Sequence, residues 1–468
     1  MAAVKPPIVF QREIPLTTDN RDSDHRFSYT AEALSQLATQ VLEQAKQAGA
    51  SASEVEVSEG YGQNVSVRLG EVETIEYTRD KGVGITVYLG QQKGHSSTSD
   101  FSPQAISDAV QAAVNIARFT ASDPDSGLAD AHRLARAPFQ ELALYHPWAL
   151  PVETAIEMAT AMEAAGQAVD PRITNSEGAT VSTDANQFVY ANSHGFNAGL
   201  MTSRHSLSAS LLAQENDMMQ RDYWYGIARD PADLPNVADI GRIAGERTVR
   251  RLGARRLSTR QAPVLFDPSL AAGLIGHFVG AVSGGSLYRK SSFLLDSLGQ
   301  PVFSDKIIID EDPFILKGLA SGCFDSEGVA TQQRRIIDRG VLQGYFLSSY
   351  SARKLGMETT GNAGGNHNLI VHDTGHSFAD LLAEMKTGFL VTELLGHGVN
   401  PVTGDYSRGA AGFWVENGEI AYPVEEITIA GNLREMFQNI TAVGNDVLVR
   451  GGKRVGSILV SNMTIAGD

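Results

Sequence analysis

Residues 388–423 read GFLVTELLGHGVNPVTGDYSRGAAGFWVENGEIAYP, and this stretch decides the fold of the last third of the chain. Asn417-Gly418 joins two runs, 412–416 and 419–422, in which bulky and polar residues mix. Both turn residues tolerate positive φ, so the dipeptide predicts a two-residue type I′ turn between two strands. The glycine-dense piece 396–412 permits turns or close approach of the backbone. The stretch therefore predicts a β hairpin.

Three patterns within this stretch carry a resemblance to a known family. They are GxLVTEL at 388–394, VNxxTGDxS at 399–407 and GxxGFWxENGEI at 409–420. Together they resemble the C-terminal domain of the TldD/PmbA family, and they are most similar to the PmbA branch, also called TldE. The resemblance extends over about residues 30–467, because the turn NSHGF at 192–196 and the N-terminal pattern of helices and strands also match that family.

Composition sets limits on the function. The chain has 468 residues, which suggests about three domains of ordinary size. Its 54 acidic and 38 basic residues give a net charge of −16, which argues against nucleic acid and anionic membranes as partners. The only cysteine, Cys323, excludes an intramolecular disulfide and fits a reducing compartment. With no secretory signal and no apolar run longer than 13 residues, we expect a soluble, cytoplasmic protein.

The order of elements predicts an α+β fold with an N-terminal antiparallel sheet and helices, a middle α/β segment and a mostly β C-terminal domain with a few helices. We expect a flexible arm over 1–29, an N-terminal domain over 30–125, a central domain over 150–260 and a C-terminal domain over 262–468. In the first domain, glycines at positions 60, 62, 70, 82 and 90 separate segments in which apolar and polar residues alternate. This pattern predicts an antiparallel meander of four short strands.

A helix that begins at Asp267-Pro268 bears on catalysis. In the TldD branch, the resemblance implies His-Glu-x-x-x-His on this helix, a third zinc ligand from a cysteine near the C-terminus, and a zinc peptidase. Such a metal lowers the pKa of a bound water while the glutamate takes its proton. At the matching positions this chain has His277, Phe278, Val282 and Arg450. Two of three ligands and the base are replaced, so we expect no zinc and no catalytic residue, with His277 as a packed side chain.

Other polar residues admit a functional and a structural interpretation. Asp325 and Glu327 could pair for acid/base chemistry, although the acidic-Glu-Gly turn favours a role in fixing the backbone. We assign Asp325, Glu327, Glu393, Asp405 and Ser407 to a peptide groove or to turns. A second metal site would have to come from the densest group of histidines, but polar loop histidines are the favoured interpretation: His367, His372, His376 and His397.

Although the chain has a net negative charge, one segment is rich in arginine. Arg247, Arg250 and Arg251 share a helical face that could bind carboxylates of a partner, whereas a solvated face is the default. The absence of interleaved aromatic residues argues against nucleic acid.

The resemblance implies a cytoplasmic assembly in which a TldD-like zinc peptidase and a TldE-like subunit act on unfolded peptides or leader peptides. We therefore expect a metal-free subunit, with zinc in the TldD-like partner and a homodimer as another possible state. Two alternatives stay open at this point. The chain could be an autonomous metallopeptidase of the PmbA type that uses an unidentified site. It could also be a homodimeric protein that holds extended peptides along sheet edges without cleaving them.

Overall fold

The computed structural model describes residues 27–467. Of the predicted flexible arm, residues 1–26 lie outside the described residues. Within the arm, the Ser28 N–H donates to Glu59 Oε1 at 2.6 Å and Phe27 packs edge-on against Tyr61. Among the described residues, no helix has both the length and the apolar character needed to cross a bilayer. The fold is mixed α+β, as the order of elements predicts.

The first half of the described chain forms one six-stranded antiparallel sheet with helices. The elements are α1 (Ala31–Gln47), β1 (Ala52–Arg68), β2 (Glu71–Leu89), β3 (Gln92–Thr98), α2 (Pro103–Phe119), α3 (Val152–Gln167), β4 (Ile173–Asn192), β5 (Asn197–Glu215), β6 (Met218–Ala228) and α4 (Val237–Arg250). The strand order of the sheet is β3-β2-β1-β4-β5-β6.

The strands of this sheet are far longer than the sequence predicts. Two strands replace the four short ones predicted in the first domain, and β4 runs without interruption through Asp184 and Asn186. Gly60 and Gly62 explain the difference. A Cβ at Gly60 would lie 2.5 Å from Asn186 Oδ1, and one at Gly62 would lie 2.4 Å from Asp184 Oδ1. These glycines make room for side chains of the neighbouring strand and do not form turns.

Helices cover only one face of the sheet. Val55 and Val57 of β1 pack with α1 and α2, while Val65 and Val67 pack with α3 and α4. The odd-numbered residues of β1 thus build two adjacent cores on the same face, which we call the helix face. The opposite face, which we call the open face, carries small and polar residues such as Asn64 and Ser66 of β1.

This sheet is continuous across the predicted boundary between the N-terminal and central domains. β1 pairs with β4 from Glu54–Asn192 to Val67–Ala179. The segment 125–150 between the two helix layers reaches the C-terminal half, where Leu134 forms a bridge with Val329. The domain limits themselves stay a prediction.

The C-terminal half contains two further six-stranded sheets, with orders β10-β9-β8-β11-β17-β16 and β14-β13-β12-β7-β18-β15. The strands are β7 (Arg260–Phe266), β8 (Ile309–Asp312), β9 (Arg334–Asp338), β10 (Val341–Leu342), β11 (Asn368–Val371), β12 (Gly388–Leu395), β13 (Asp405–Glu416), β14 (Glu419–Asn432), β15 (Ile440–Val443), β16 (Leu448–Val449), β17 (Lys453–Val455) and β18 (Ile458–Ala466). The helices are α5 (Pro268–Ala281), α6 (Gly284–Tyr288), α7 (Ser349–Lys354), α8 (Phe378–Met385) and α9 (Leu433–Gln438).

The predicted hairpin forms at Asn417-Gly418. Its two residues have φ angles of 52° and 81°, the positive values that a type I′ turn requires. The turn joins β13 to β14, and the Gly418 N–H donates to the Lys386 carbonyl at 2.8 Å, which ties the turn to the end of α8.

Candidate functional site

Helix α5 is the element on which the sequence comparison with a zinc peptidase depends. It starts at Asp267, whose side chain accepts from the Ser269 N–H at 2.9 Å, with Pro268 at the first helical position. Leu274 and Ile275 are buried on its inner side. The helix is therefore held by its cap and by an apolar face that packs into the C-terminal core.

Phe278 and Val282 occupy the positions of a base and a ligand, and both side chains are fully buried. The ring of Phe278 lies 5.0 Å from the ring of Phe303 and 6.4 Å from that of Phe437, edge-on to both. Val282 belongs to the same apolar core. These two positions therefore contribute packing, where a metal site would need a carboxylate and an imidazole.

His277 lies beside them and is half-buried. Its ring stands edge-on to the ring of Tyr406, with 6.0 Å between centroids. Burial lowers the pKa of His277, and the positive charge of Arg408 lowers it further. A neutral imidazole packed on an aromatic ring fits the interpretation that His277 is a packed side chain.

Arg450 stands where the resemblance places the third ligand, and aromatic rings hold it. Its guanidinium lies 3.9 Å from the ring centroids of both Trp224 and Tyr225, and it donates to the Tyr225 carbonyl at 2.8 Å. Burial lowers its pKa from the usual value. Both rings come from β6, a strand that the sequence analysis missed; the run YWY at 223–225, flanked by alternating residues, was the available signal.

The residues present at the matching positions do not fit a zinc ion. One imidazole, two hydrocarbon side chains and a guanidinium supply a single donor where three are needed. Within residues 27–467, no three His, Cys, Asp or Glu side chains are grouped closely enough to hold a metal. No catalytic step through a metal is therefore assigned to this chain.

The four histidines of the loop cluster have separate surroundings. His372 contacts Asp310 at 2.8 Å, and His376 lies 3.3 Å from Glu384. The His367 ring contacts the Ala320 and Gly361 carbonyl oxygens, while His397 is exposed. Their contacts are with different carboxylates or backbone groups, which fits the loop interpretation.

Glu393 and the arginines of α4 form an ion-pair network. Arg251 donates to Glu393 and lies 3.8 Å from Asp222, and Arg247 approaches Asp222 at 3.4 Å. The Arg247 guanidinium lies 5.0 Å from the Trp224 ring, on the same indole that Arg450 contacts. Glu393 thus holds the sheet of β12 against α4, and a contact with peptide would have to displace this pair.

A cleft of about 340 Å³ opens beside this network. Arg250 projects into it with its guanidinium 4.8 Å from the Phe413 ring, and it has no carboxylate partner among residues 27–467. The aspartates of the cleft are engaged elsewhere, since Asp267 caps α5 and Asp446 accepts from Ser457. On the arginine face of α4, Arg247 and Arg251 therefore form ion pairs within the chain, whereas Arg250 has no carboxylate partner in the part that the structure describes.

Asp325 fixes a turn by accepting three backbone hydrogen bonds at 2.9 Å. Its Oδ1 accepts from the N–H groups of Glu327 and Val329, and its Oδ2 accepts from Ala363. Burial raises the pKa of Asp325 to about 6, with a smaller contribution from the charge of Glu327, while these hydrogen bonds oppose the shift. Glu327 accepts from the Ser349 N–H at 2.8 Å, at the start of α7. The geometry supports the structural interpretation of this turn.

Asp405 and Ser407 lie at the start of β13 and are exposed. Asp405 accepts from the Thr403 hydroxyl at 2.6 Å and from Asn432 at 3.2 Å, while the Ser407 N–H donates to the Gly398 carbonyl at 2.7 Å. The five residues assigned to a groove or to turns are thus distributed over separate places.

A larger cleft, of about 650 Å³, lies between the first sheet and the C-terminal half, and the sequence analysis missed it. Glu54 lies in its wall and accepts from the Tyr88 hydroxyl at 3.0 Å and from the Tyr190 hydroxyl at 2.7 Å. Glu327 and Lys354 line the opposite side. Because Glu54 and Tyr190, which meet in this wall, are 136 residues apart, sequence spacing carries no signal for it.

Comparison with known proteins now identifies the family. Three sequence models match, described as PmbA/TldA metallopeptidase domain 1 over residues 53–117, central domain over 145–252 and C-terminal domain over 259–467. The chain is 52% identical to Metalloprotease PmbA of Escherichia coli O157:H7 over 417 residues, which cover 89% of this chain and 92% of that protein. The chain belongs to the PmbA/TldD family.

A second relative agrees with the PmbA (TldE) branch, and two solved structures share the fold. Metalloprotease PmbA homolog of Haemophilus influenzae is 49% identical over 93% of this chain and 96% of that protein. A crystal structure from Bacteroides thetaiotaomicron, described as a candidate modulator of DNA gyrase, has a TM-score of 0.89 at 28% identity and covers 94% of this chain and all of that one. TldE from Thermococcus kodakarensis shares the fold, with a TM-score of 0.81 at 21% identity over 92% and 100% of the two chains.

Proposed function

We propose that this PmbA-type chain is the metal-free subunit of a TldD–TldE-type peptidase assembly in the cytoplasm, where it supports cleavage of unfolded or leader peptides. One observation carries the proposal: Phe278 and Val282 lie in the apolar core at positions where a peptidase of this family would need a base and a ligand. Zinc and the activated water belong, in this proposal, to a TldD-like partner subunit.

The role of the present chain is then to complete a chamber and to hold substrate. Peptide hydrolysis needs an activated nucleophile and stabilisation of the developing oxyanion. At the matching positions of this chain, His277 packs against Tyr406, and Phe278 and Val282 are buried, so the carboxylate and the second imidazole that would activate water are absent there. Walls that exclude folded proteins can set specificity without any catalytic group.

The experiment compares the chain alone, a TldD-like subunit alone and their mixture on an unfolded peptide, with and without a chelator. We expect cleavage only in the mixture or strongly enhanced there, with loss of activity on chelation. A mixture no faster than the partner alone would contradict the assembly. A catalytically inactive variant of the partner serves as the matched control for contaminating peptidases.

The names of the relatives favour a second candidate function, that of an autonomous metallopeptidase. Metalloprotease is the name given to PmbA of Escherichia coli and to its Haemophilus influenzae homolog. Under this alternative, the purified chain alone would hold about one zinc per chain and cleave peptide. Elemental analysis with His277→Ala as a comparison variant decides between the two, because the metal-free proposal expects no stoichiometric zinc in either protein.

A further inference from the structure

The outer half of β2 forms an edge of the first sheet on which no other described strand lies. β3 pairs only with residues Val83 to Leu89 of β2. Over residues 71–81, no described strand pairs with β2 on the side away from β1, and all of these residues are exposed except the half-buried Thr74. Eleven residues of strand span about 35 Å, and an edge of this length carries a row of backbone N–H and C=O groups that an added strand can pair with.

The two faces of this edge differ in chemistry. A bulge opposite Ser66 and Val67 places Val72 across from Val67 and Ile75 across from Val65, so both lie on the helix face. Tyr77 follows Ile75 on that side. These three side chains are 45%, 44% and 55% exposed, which is a high exposure for apolar residues that project from one strand.

Acidic residues occupy the open face of the same edge. Glu71, Glu76 and Asp80 stand across from Arg68, Asn64 and Gly60 of β1, respectively. The side chains of Glu71 and Glu76 are exposed, and neither has a hydrogen bond or an ion pair with another residue in the range 27–467. Glu73, at the bulge, lies 3.7 Å from Arg68, with both side chains nearly half exposed. The edge therefore combines an acidic open face with a helix face that is apolar from Val72 to Tyr77 and ends in Arg79 and Lys81.

We infer that residues 71–81 of β2 dock an extended strand of the partner subunit that carries basic residues on one face and apolar residues on the other. The identity of that partner rests on the proposed function. Antiparallel pairing continues the sheet and keeps matching faces on the same side. Basic side chains then lie against Glu71 and Glu76, and apolar side chains lie against Ile75 and Tyr77.

Charge argues against a second copy of this chain as the occupant. Antiparallel pairing of two β2 edges would place the acidic open face of one copy beside the acidic open face of the other. Like charges in facing or diagonal positions destabilise a sheet. A strand with Lys or Arg on that face relieves the repulsion, and the same charges would steer the encounter at low salt.

Hydrogen exchange tests the location directly. The full chain is measured free and in complex with a TldD-like subunit, and the amides of 71–81 are compared with those of the same strand at 83–89. We expect at least tenfold slower exchange at 71–81 in the complex and little change at 83–89. A complex that forms without this protection would overturn the inference and leave the proposed function standing. No complex at all would instead overturn the proposed function, and this assignment with it.

Charge reversal tests the chemistry. The double variant Glu71→Lys/Glu76→Lys should raise the Kd for the partner subunit at least tenfold and weaken its dependence on salt. Glu43→Lys/Asp108→Lys makes the same charge change on exposed positions of α1 and α2 and should bind like the parent chain. Equal losses in both double variants would overturn the inference, because they would reflect overall charge.

Two further outcomes identify a different occupant. Sedimentation of the chain alone as a dimer, with 71–81 protected, would show that a second copy occupies the edge. Protection of 71–81 by an unfolded peptide without any subunit would show that the edge holds substrate. Either result would overturn the assignment to the partner subunit.

Discussion

Helix α5 differs from the two turns at Asp325–Gly328 and Asn417-Gly418 in what its sequence determines. On α5, the side chains at His277, Phe278 and Val282 decide whether chemistry is possible. Here Phe278 and Val282 are buried in a core, and His277 packs against Tyr406. At Asp325–Gly328 and at Asn417-Gly418, polar or small residues fix the path of the backbone. A sequence pattern in the turns therefore reports on the fold, whereas the pattern on α5 reports on chemistry.

The difference also separates two meanings of a buried titratable group. Asp325 is buried and its pKa is raised, features that often accompany catalytic acids. Yet all of its hydrogen bonds hold N–H groups of its own turn and of a neighbouring loop. A perturbed pKa indicates a catalytic group only when the side chain is also available to a substrate.

The largest expected effect is on α5. Phe278→Glu, which restores the acid of the TldD-type pattern, should destabilise the chain by about 4 kcal/mol or more, because it removes aromatic packing and buries an unpaired carboxylate. Phe278→Leu is the matched control and should cost about 1 kcal/mol. Urea unfolding measures both. An unchanged free energy of unfolding for Phe278→Glu would mean that this position is not part of the core and would break the comparison.

The second effect concerns Asp325. Its folded pKa of about 6 lies above the unfolded value, so its contribution to stability is complete below about pH 4 and is lost as the pH rises through 6. The shift corresponds to roughly 3 kcal/mol. Asp325→Asn removes this term and leaves the Ala363 N–H facing an amide, so its destabilising effect should be larger at pH 5 than at pH 8.

Unfolding of both proteins in urea at pH 5 and pH 8 checks this prediction. Exposed Asp305 provides the control, and Asp305→Asn should follow the pH profile of the parent chain. A penalty for Asp325→Asn that grows with pH would show that the three hydrogen bonds outweigh burial and keep the carboxylate charged. Such a result would mean that Asp325 lacks the raised pKa that often accompanies a catalytic acid.

The turns and helix caps were the parts of the fold that sequence could predict, because local residue chemistry determines them. The Asn417-Gly418 turn and the helix start at Asp267 both agree with the prediction. The long strands could not be predicted, since Gly60 and Gly62 look like breaks until the side chains of β4 lie across them. The residues at the candidate site on α5 could be identified from the sequence. The aromatic contacts of Arg450 could not, because they come from β6, which is distant in the sequence.

The third effect tests whether backbone conformation alone fixes the hairpin. Gly418→Val should destabilise by about 2 kcal/mol, because a β-branched residue resists a φ of 81°. The added Cβ would also lie 3.2 Å from the Ala383 Cα of α8. Asn417→Gly, which tolerates the same turn, should change the free energy of unfolding by less than about 0.5 kcal/mol. Equal melting temperatures for the valine variant and the parent chain would contradict a type I′ turn.

The smallest effect is at Arg450, where packing and polarity meet. Arg450→Lys keeps the charge but replaces a planar group that stacks on Trp224 and Tyr225 and donates to the Tyr225 carbonyl. The loss of planar stacking should cost about 1 kcal/mol and change the fluorescence of Trp224. Arg250→Lys, on the rim of the cleft, is the control and should leave that fluorescence unchanged. If Arg450→Lys alters neither stability nor fluorescence, the guanidinium is not held by these rings. Arg450 would then be available to contact a ligand, unlike Phe278 and Val282, which are buried in the core.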